Sequence, residues 1–428
     1  MNKIAVIDLT FCWPPWVPSS FEIKEILCRL QARGLKVNLF FPHFTGYFPR
    51  GLITSKLPFP VTPVSFNRFT FNTIFLQKRI RKAVENFNPD CILIWDGYSL
   101  KPHLALDLSK DFPVIIKLCS YEILCLKTTL LADDSSICDN TFLKNPQKCI
   151  HCYFKGDLFK NFIKTFFRQK AGSRFHQLAH EFFSASAFKP SYPDIIKKSF
   201  NNVKAVIVSN NFTKGLFEGY CAKIKVIPHG VDSKLFKPGM EFKKKYKGVF
   251  MPERLDGLNQ GFFTFVEAIE ALLSFNNNIN NIKILLFSDE YFSPIRSERF
   301  KGNNYLFFFP SREGITPELY QMSDITVHPH VSPESQGLRL IEAMACGKPV
   351  IASKAGVFND IVEDGKTGFL VEPASKDRLL EKMDLLLKND EMCKSMGKEA
   401  RIKVEAEYDW DIIIERDYIP LLQENNIK

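Results

Sequence analysis

Two glutamates eight residues apart, Glu334 and Glu342, flank a glycine in the segment SPESQGLRLIEAMACGKPVIAS, Ser332 to Ser353. The Ser-Pro start and Gly337 mark a loop, whereas LRLIEAMA consists of strong helix formers with no breaker before Gly347. Glu334 is therefore expected in the loop and Glu342 inside the helix, about 8 Å along the axis from Gly337 at about 1.5 Å per residue. Between the acids a helix begins, and its free N–H groups and partial positive charge suit a phosphate. An acid ahead of that end can hold sugar hydroxyls, and one on the second turn can hold the diol of a ribose. A nucleotide-diphosphate sugar presents those three parts in that order. The competing reading gives Glu334 to the helix dipole and Glu342 to a solvated helix face.

Such a site needs a framework. Short apolar runs alternate with helical stretches twice along the chain. IAVID, KVNLFFP, CILIW, PVIIKL, KAVIVS and KVIPH in the first half read as strands buried on both faces. GVFMP, IKILLFS, YLFFFP, ITVHP, PVIAS and GFLVE do so in the second. Both halves then follow βαβ logic, giving an α/β chain of two doubly wound parallel sheets facing a cleft. Ligands of such sheets bind beyond the carboxyl ends of the strands, and the Glu334 loop follows ITVHP. In the first helix, Ser19 and Glu22 predict a capping box, residues 23, 26, 27 and 30 the apolar face, and Gly34 the stop. The change of domain is expected in HGVDSKLFKPGMEFKKKYKG, where Gly, Pro and lysines interrupt the pattern.

A chain of 428 residues exceeds one ordinary core, in agreement with two domains. No apolar run reaches the roughly eighteen residues of a membrane span, and MNKIAVIDLT reads as a buried strand and not a signal peptide. A cytoplasmic protein is expected. Eleven cysteines, an odd number, argue against a disulfide scaffold there. The net charge of +10 points to acidic partners.

With these elements in place, the sequence resembles the group 1 glycosyltransferases, family 4, which are retaining enzymes of the GT-B fold. PESQGLRLIEAMACGKPVIASKAGVFNDIVEDGKTGFLVEP is similar to that family's Glu-x7-Glu block over about forty residues. VIPHGVDSKLFKP resembles its inter-domain segment, MPERLDGLNQGFFTFVEAI its diphosphate-binding segment, and YDWDIIIERDY its last helix, which returns to the N-terminal domain. The resemblance implies an acceptor-binding domain over 1–237 and a donor-binding domain over 238–407, with a returning helix over 408–428. It implies that Glu334 holds donor-sugar hydroxyls and Glu342 the ribose. The backbone around Ser335, Gly337, Leu338 and Arg339 would cradle sugar and phosphate. Arg254 and Gln260 would face the diphosphate, with Arg254 stabilising charge on the leaving group. No catalytic cofactor is implied. The partners would be a UDP- or GDP-sugar and a saccharide or lipid-linked acceptor, in cell-surface polysaccharide or glycoconjugate synthesis.

Three departures stand out. Gln260 occupies the place of a lysine, Cys119 that of a histidine, and Pro18, Ser19 and Ser20 replace paired glycines in the first turn. They favour two alternatives, reduced turnover and a non-catalytic donor-binding or partner protein of the same fold. A GT-B nucleotide-sugar epimerase is a third reading, against which the Glu block argues. Arg339 reads either as a substitute cation or as a surface residue.

Two further features stand apart. Cys125, Cys138, Cys149 and Cys152 occupy one insertion, about 119–153, with His151 as a spare ligand. They fit a tetrahedral structural zinc, or four reduced thiols packed as small apolar residues. FKGDLFKNFIKTFFRQKAGSRF, 154–175, repeats apolar pairs at 158/159, 162/163 and 166/167 among basic residues. It reads as a helix lying on an anionic membrane surface at the inner face, or as a core-facing helix with a solvated back. No nucleic-acid-binding module is present.

Overall fold

The structure, a computed structural model, describes residues 3–424 apart from 16–17, 45–50, 68, 133–135, 156–184, 240–244, 255–260, 276–281, 289–305 and 311–315. The basic stretch 156–175 and Gln260 lie outside the described residues. The chain forms two compact units. One comprises Met1–Asp134, Cys138–Pro228 and Ile413–Lys428, and the other Ser135–Ile137 and His229–Ile412. The segment 229–237, assigned by sequence to the first domain, thus packs within the second unit. Val231 N donates to Tyr408 O at 2.9 Å, Trp410 N to Val231 O at 3.1 Å, and Arg401 to Ser233 O at 2.9 Å.

The first unit is built on seven parallel strands, β1 (Lys3–Ile7), β2 (Lys36–Phe44), β3 (Val61–Phe66), β4 (Cys91–Ile94), β5 (Val114–Lys117), β6 (Ala205–Val208) and β7 (Ile224–Val226). Their order is β3-β2-β1-β4-β5-β6-β7, parallel throughout. Residues such as Ile4, Ile92, Ile115 and Val206 are fully buried, as strands covered on both faces require. β3 was not expected, because Pro63 interrupts VTPVSF. It is an edge strand, where a missing N–H is tolerated.

The first helix, Pro18–Ala32, buries Ile23, Ile26, Leu27 and Leu30 and ends before Gly34, as expected. The capping box is not formed. The helix already begins at Pro18, so Ser19 lies inside its first turn, and the buried hydroxyls of Ser19 and Ser20 have no hydrogen-bond partner among the described residues. Glu22 instead receives Lys117 Nζ at 2.9 Å, with both side chains buried. Lys101 Nζ makes a second buried pair with Glu122 at 3.0 Å and donates to Lys117 O at 2.7 Å. Lys117 also lies 5.4 Å from the centroid of the Trp95 ring, and Trp95 stacks on Tyr418 at 6.3 Å. Breaking such a buried pair by removing one partner typically costs about 3–5 kcal/mol, since the other charge is stranded. Tyr418 thereby ties the terminal segment into this unit.

The sheet order reverses between β1 and β4, the position where open α/β sheets leave a crevice. Asp8 follows β1 and Asp96 lies just past β4. Thr10 Oγ sits 2.8 Å from Asp8 Oδ1 and 3.2 Å from Asp96 Oδ2. Burial, and then the charge of Asp96, push the Asp8 carboxyl up to about 7.

The second unit carries six parallel strands, β8 (Lys247–Arg254), β9 (Ile282–Ser288), β10 (Leu306–Pro310), β11 (Ile325–His328), β12 (Val350–Ser353) and β13 (Gly368–Val371). Their order is β10-β9-β8-β11-β12-β13, reversing between β8 and β11. Val249, Ile284, Ile325, Val327 and Ile351 fill one face with the helices Phe262–Phe275 and Lys376–Lys388, while Phe250, Leu285, Val350 and Ala352 pack on the other. The register of β8 on β9 slips between Met251 and Arg254, leaving Pro252 and Glu253 in a bulge. Bulges of this kind re-aim a side chain.

The raised carboxyl of Asp8 generates a prediction. Its folded value stands above the ordinary carboxyl value of about 3.9, so the unfolded chain loses this proton first as pH rises. Stability therefore falls between pH ~4 and a folded-state value of about 7. Asp8→Asn, which keeps an oxygen for Thr10, should gain melting temperature over wild type across that interval and hold the gain above it. The same difference at pH ~4 and pH ~7.5 would show that Asp8 is ionised throughout.

Candidate functional site

The helix Leu338–Ala345 begins directly after Gly337, which takes φ +71° and supplies no side-chain cap. A Cβ at Gly337 would lie 2.7 Å from Ile361 Cδ1 and 2.9 Å from Val357 Cγ1, so the chain turns here against packed side chains. Glycine meets both demands. Glu334 lies in the loop and Glu342 on the second turn, as the spacing implies.

The two acids have different surroundings. Glu342 is buried, and its Oε2 accepts from Tyr320 Oη at 2.6 Å and from Arg339 at 3.1 Å. Arg339 is thus no free surface cation, since its guanidinium neutralises Glu342. Burial opposes the arginine charge, but Glu342, foremost among its neighbours, raises its pKa above the ordinary value. Glu342 Oε1 carries no hydrogen bond from a described residue. Glu334 is half-buried. Its Oε1 accepts from Gln336 N at 3.1 Å and Gly337 N at 3.4 Å. That is the helix-dipole contact of the competing reading, made while the second oxygen faces another way.

Glu334 Oε2 lies 3.4 Å from His330 Nδ1, and His330 Nε2 lies 3.3 Å from Glu253 Oε1. The same Glu253 oxygen accepts from His328 Nδ1 at 2.9 Å. Glu253 comes from the β8 bulge, His328 ends β11, and His330 follows two residues later. Phe358 closes this group with its ring 5.9 Å from His328 and 5.1 Å from His330. Burial pushes the Glu253 carboxyl up, yet His330 and then His328 outweigh it and hold the group well below the usual range. For His330, burial opposes the charge, but Glu253 and then Glu334 raise its pKa. For His328, burial prevails and lowers it. Because ionised Glu253 can only accept, the proton of neutral His328 belongs on Nδ1. Among the described residues its Nε2 is buried without a hydrogen-bond partner, and so is His330 Nε2, whose contact with Glu253 is an ion-pair contact only.

The remaining expected residues are placed as follows. Arg254 ends β8, with its side chain outside the description, and Leu338 opens the helix, with Ser335 in the loop before it. Gly261, next to Gln260, packs so closely on Pro329 that a Cβ would lie 1.6 Å from its carbonyl oxygen. In the first unit Cys119 is buried two residues past β5, with its sulfur 3.9 Å from Trp95 O. Burial, then the charge of Asp96, push this thiol well above its ordinary range. Cys149 and Cys152 share the helix Pro146–Lys155, and Asn140 Nδ2 donates to Cys149 Sγ at 3.1 Å. Burial, followed by Cys125, Cys138 and Cys152, pushes Cys149 up to about 12, so the four thiols lie in one electrostatic neighbourhood. Among the described residues no three His, Cys, Asp or Glu side chains form a ready-made metal-ligand set.

Sequence reasoning missed Tyr320, Glu253, His328 and His330. The available signal was the His-Pro-His triplet at the end of a buried strand, joined to an acid immediately before Arg254.

Residues 234–403, within the second unit, match the family described as glycosyl transferases group 1. A sulfoquinovosyl transferase of Arabidopsis thaliana is 30% identical over 188 residues, 42% of this chain and 36% of the relative. A lipopolysaccharide 1,2-N-acetylglucosaminetransferase of Salmonella typhimurium is 24% identical over 54% of this chain and 63% of its own length. The chain thus spans between about a third and two thirds of these curated relatives. Sucrose-phosphate synthase from Thermosynechococcus elongatus superposes with TM-score 0.68 at 18% identity, over 99% of this chain and 100% of that one. Anabaena HepE in complex with UDP-glucose does so with TM-score 0.64 at 16% identity, over 99% of this chain and 100% of that one. These likenesses establish the GT-B fold of two parallel-sheet α/β domains. Among the described residues no helix is long and apolar enough to cross a membrane.

Proposed function

We propose that the protein is a retaining family 4 glycosyltransferase that moves a hexosyl group from a UDP- or GDP-sugar to a saccharide or lipid-linked acceptor, in cell-surface polysaccharide or glycoconjugate synthesis. The carrying observation is the pair Glu334 and Glu342 on either side of an uncapped helix start, within residues matched to the group 1 family. The UDP-glucose in the Anabaena structure of the same fold supports a nucleotide-sugar donor. In this reading Glu342 Oε1 holds the ribose, Glu334 the sugar hydroxyls, and the backbone from Ser335 to Arg339 the phosphate. As the glycosidic bond breaks, its electron pair leaves with the diphosphate, where Arg254 and the helix end offset the charge. The acceptor oxygen bonds to the anomeric carbon and its proton passes to the released phosphate. No catalytic metal is assigned, because cationic and N–H groups fill that role. Gln260 and Cys119 favour a second reading, a donor-binding protein without turnover.

The four cysteines belong to this proposal as a structural zinc site in the 119–153 insertion, and the basic segment 154–175 as a peripheral contact with the inner membrane face of a cytoplasmic enzyme.

Calorimetry with UDP, UDP-glucose, GDP and GDP-mannose tests the donor roles. Glu342→Ala should weaken both free nucleotide and sugar nucleotide by about 1.5–3 kcal/mol, the usual worth of a charged hydrogen bond. Glu334→Ala should weaken only the intact sugar nucleotide. Equal losses for the two variants would remove the role assignment, and tight binding with neither hydrolysis nor transfer would favour the second reading. Elemental analysis of anaerobically purified protein should find one zinc per chain, lost in Cys149→Ser. Background metal with unchanged melting after chelation would leave four reduced thiols. Vesicles containing anionic lipid should co-sediment the protein, less so as salt rises, and neutral vesicles should not. Equal behaviour with both would assign 154–175 to the core.

A further inference from the structure

His330 lies between two carboxylates. Its Nε2 faces Glu253 Oε1 at 3.3 Å and its Nδ1 faces Glu334 Oε2 at 3.4 Å. Both lie at ion-pair rather than short hydrogen-bond distance. An ionised carboxylate offers only acceptors, so an imidazole placed between two of them satisfies both when both its nitrogens carry protons. The two imidazoles are buried. His328 is fully buried, His330 is 2% exposed, and Phe358 lies edge-on to both rings. In such a medium each charge interaction exceeds its value in water.

Among the described residues, charged and titratable groups reach His330 from several elements. Glu253 comes from β8, His328 from β11 and Glu334 from the following loop, and Arg339 acts on Glu253 from the helix. Arg339 is committed to Glu342. Without a proton on His330, the anions Glu253 and Glu334 would face each other across a neutral ring, beside the helix end offered to a phosphate. With it, Glu334 Oε2 faces a cation at ion-pair distance while Oε1 accepts from Gln336 N and Gly337 N.

We propose that Glu253 and His330 are positioning residues that hold Glu334 for the donor sugar, through the chain Glu253–His330–Glu334 with His330 as the cation. The inference rests on the sugar-binding role of Glu334 under Proposed function. Glu253 reaches no ligand in this scheme. It keeps His330 charged, and His330 in turn sets the direction of the Glu334 carboxylate. His328 fastens Glu253 from the other side through Nδ1. The raised pKa of His330 agrees with this order of charges.

The folded pKa of His330 lies above the ordinary imidazole value of about 6.5, so the chain's contribution is complete below that value and is lost as pH rises through the raised one. Selectivity for an intact sugar nucleotide over its free nucleotide should fall over the same interval.

Two independent readouts test the proposal. The first is proton NMR of the imidazole resonances, eight in number, with His330 identified by the signal lost in His330→Ala. In wild type, His330 should titrate above the ordinary value. In Glu253→Gln, and less so in Glu334→Gln, it should titrate lower, because burial then goes unopposed. The second is calorimetry with UDP and UDP-glucose. His330→Ala and Glu253→Gln should lose at least tenfold of the preference for UDP-glucose while UDP binding stays within about twofold, and His330→Gln, a neutral donor, should recover part of it. Glu253→Gln keeps its shape and carries the test if His330→Ala does not fold. An unchanged His330 titration in Glu253→Gln overturns the relay whatever binds. A lowered titration without lost preference overturns its positioning role. Failure of wild type to bind either sugar nucleotide would overturn the donor reading, and with it the positioning role, while the titration would still decide the relay.

Discussion

The start of the helix at Leu338 is the constraint to which the second unit answers. A helix start that carries no side-chain cap must offer its donors to something, and here Glu334 Oε1 takes those of Gln336 and Gly337. A bound phosphate needs the same end of the helix. Glu334 and the phosphate can therefore be neighbours only if part of the carboxylate charge is met elsewhere. His330 stands on its other oxygen. The cation for His330 is secured by Glu253, which the β8 bulge turns inward. Each step follows from the uncapped helix, and each brings in a group whose partner has to be found further from the ligand.

Glu342 shows the complementary solution. It is buried on the second turn, where an unpaired carboxylate would be costly, and Arg339 one turn earlier and Tyr320 from a neighbouring helix both meet Oε2. Two acids with the same side chain thus acquire different characters. One is clamped through a single oxygen, with no hydrogen bond to the other among the described residues, and the other lies between backbone and imidazole.

The sheets were legible because parallel strands buried on both faces leave unbroken apolar runs, and twelve such runs coincide with observed strands. β3 escaped because Pro63 argues against a strand in general and not against an edge. The Glu-x7-Glu segment was legible because helix formers, a glycine and two acids have a fixed geometry once the helix is granted. Glu22 was misread for a physical reason: local spacing suggests a cap, while the fold supplies Lys117 from 95 residues away. Glu253 and His330 were hidden similarly. They lie 77 positions apart, and only the adjacency of β8 and β11 brings them together. Short-range patterns are readable from one chain, but charge partners delivered by sheet order are not.

That sheet order acts the same way in both units. Each sheet reverses direction between two adjacent strands, β1 and β4 in the first and β8 and β11 in the second. At the carboxyl ends of each pair stand titratable groups, Asp8 with Asp96 and Glu253 with His328. Crossover connections leave in opposite directions there, so no helix covers the strand ends and polar groups can be accommodated. The chemistry then diverges. Two carboxylates bridged by Thr10 cannot both be ionised cheaply, and Asp8 is driven toward holding a proton. A carboxylate among imidazoles is instead driven to remain charged. One topological feature, used twice, yields a proton-holding acid in one unit and a charge-holding acid in the other. The identity of the group on the neighbouring strand decides which.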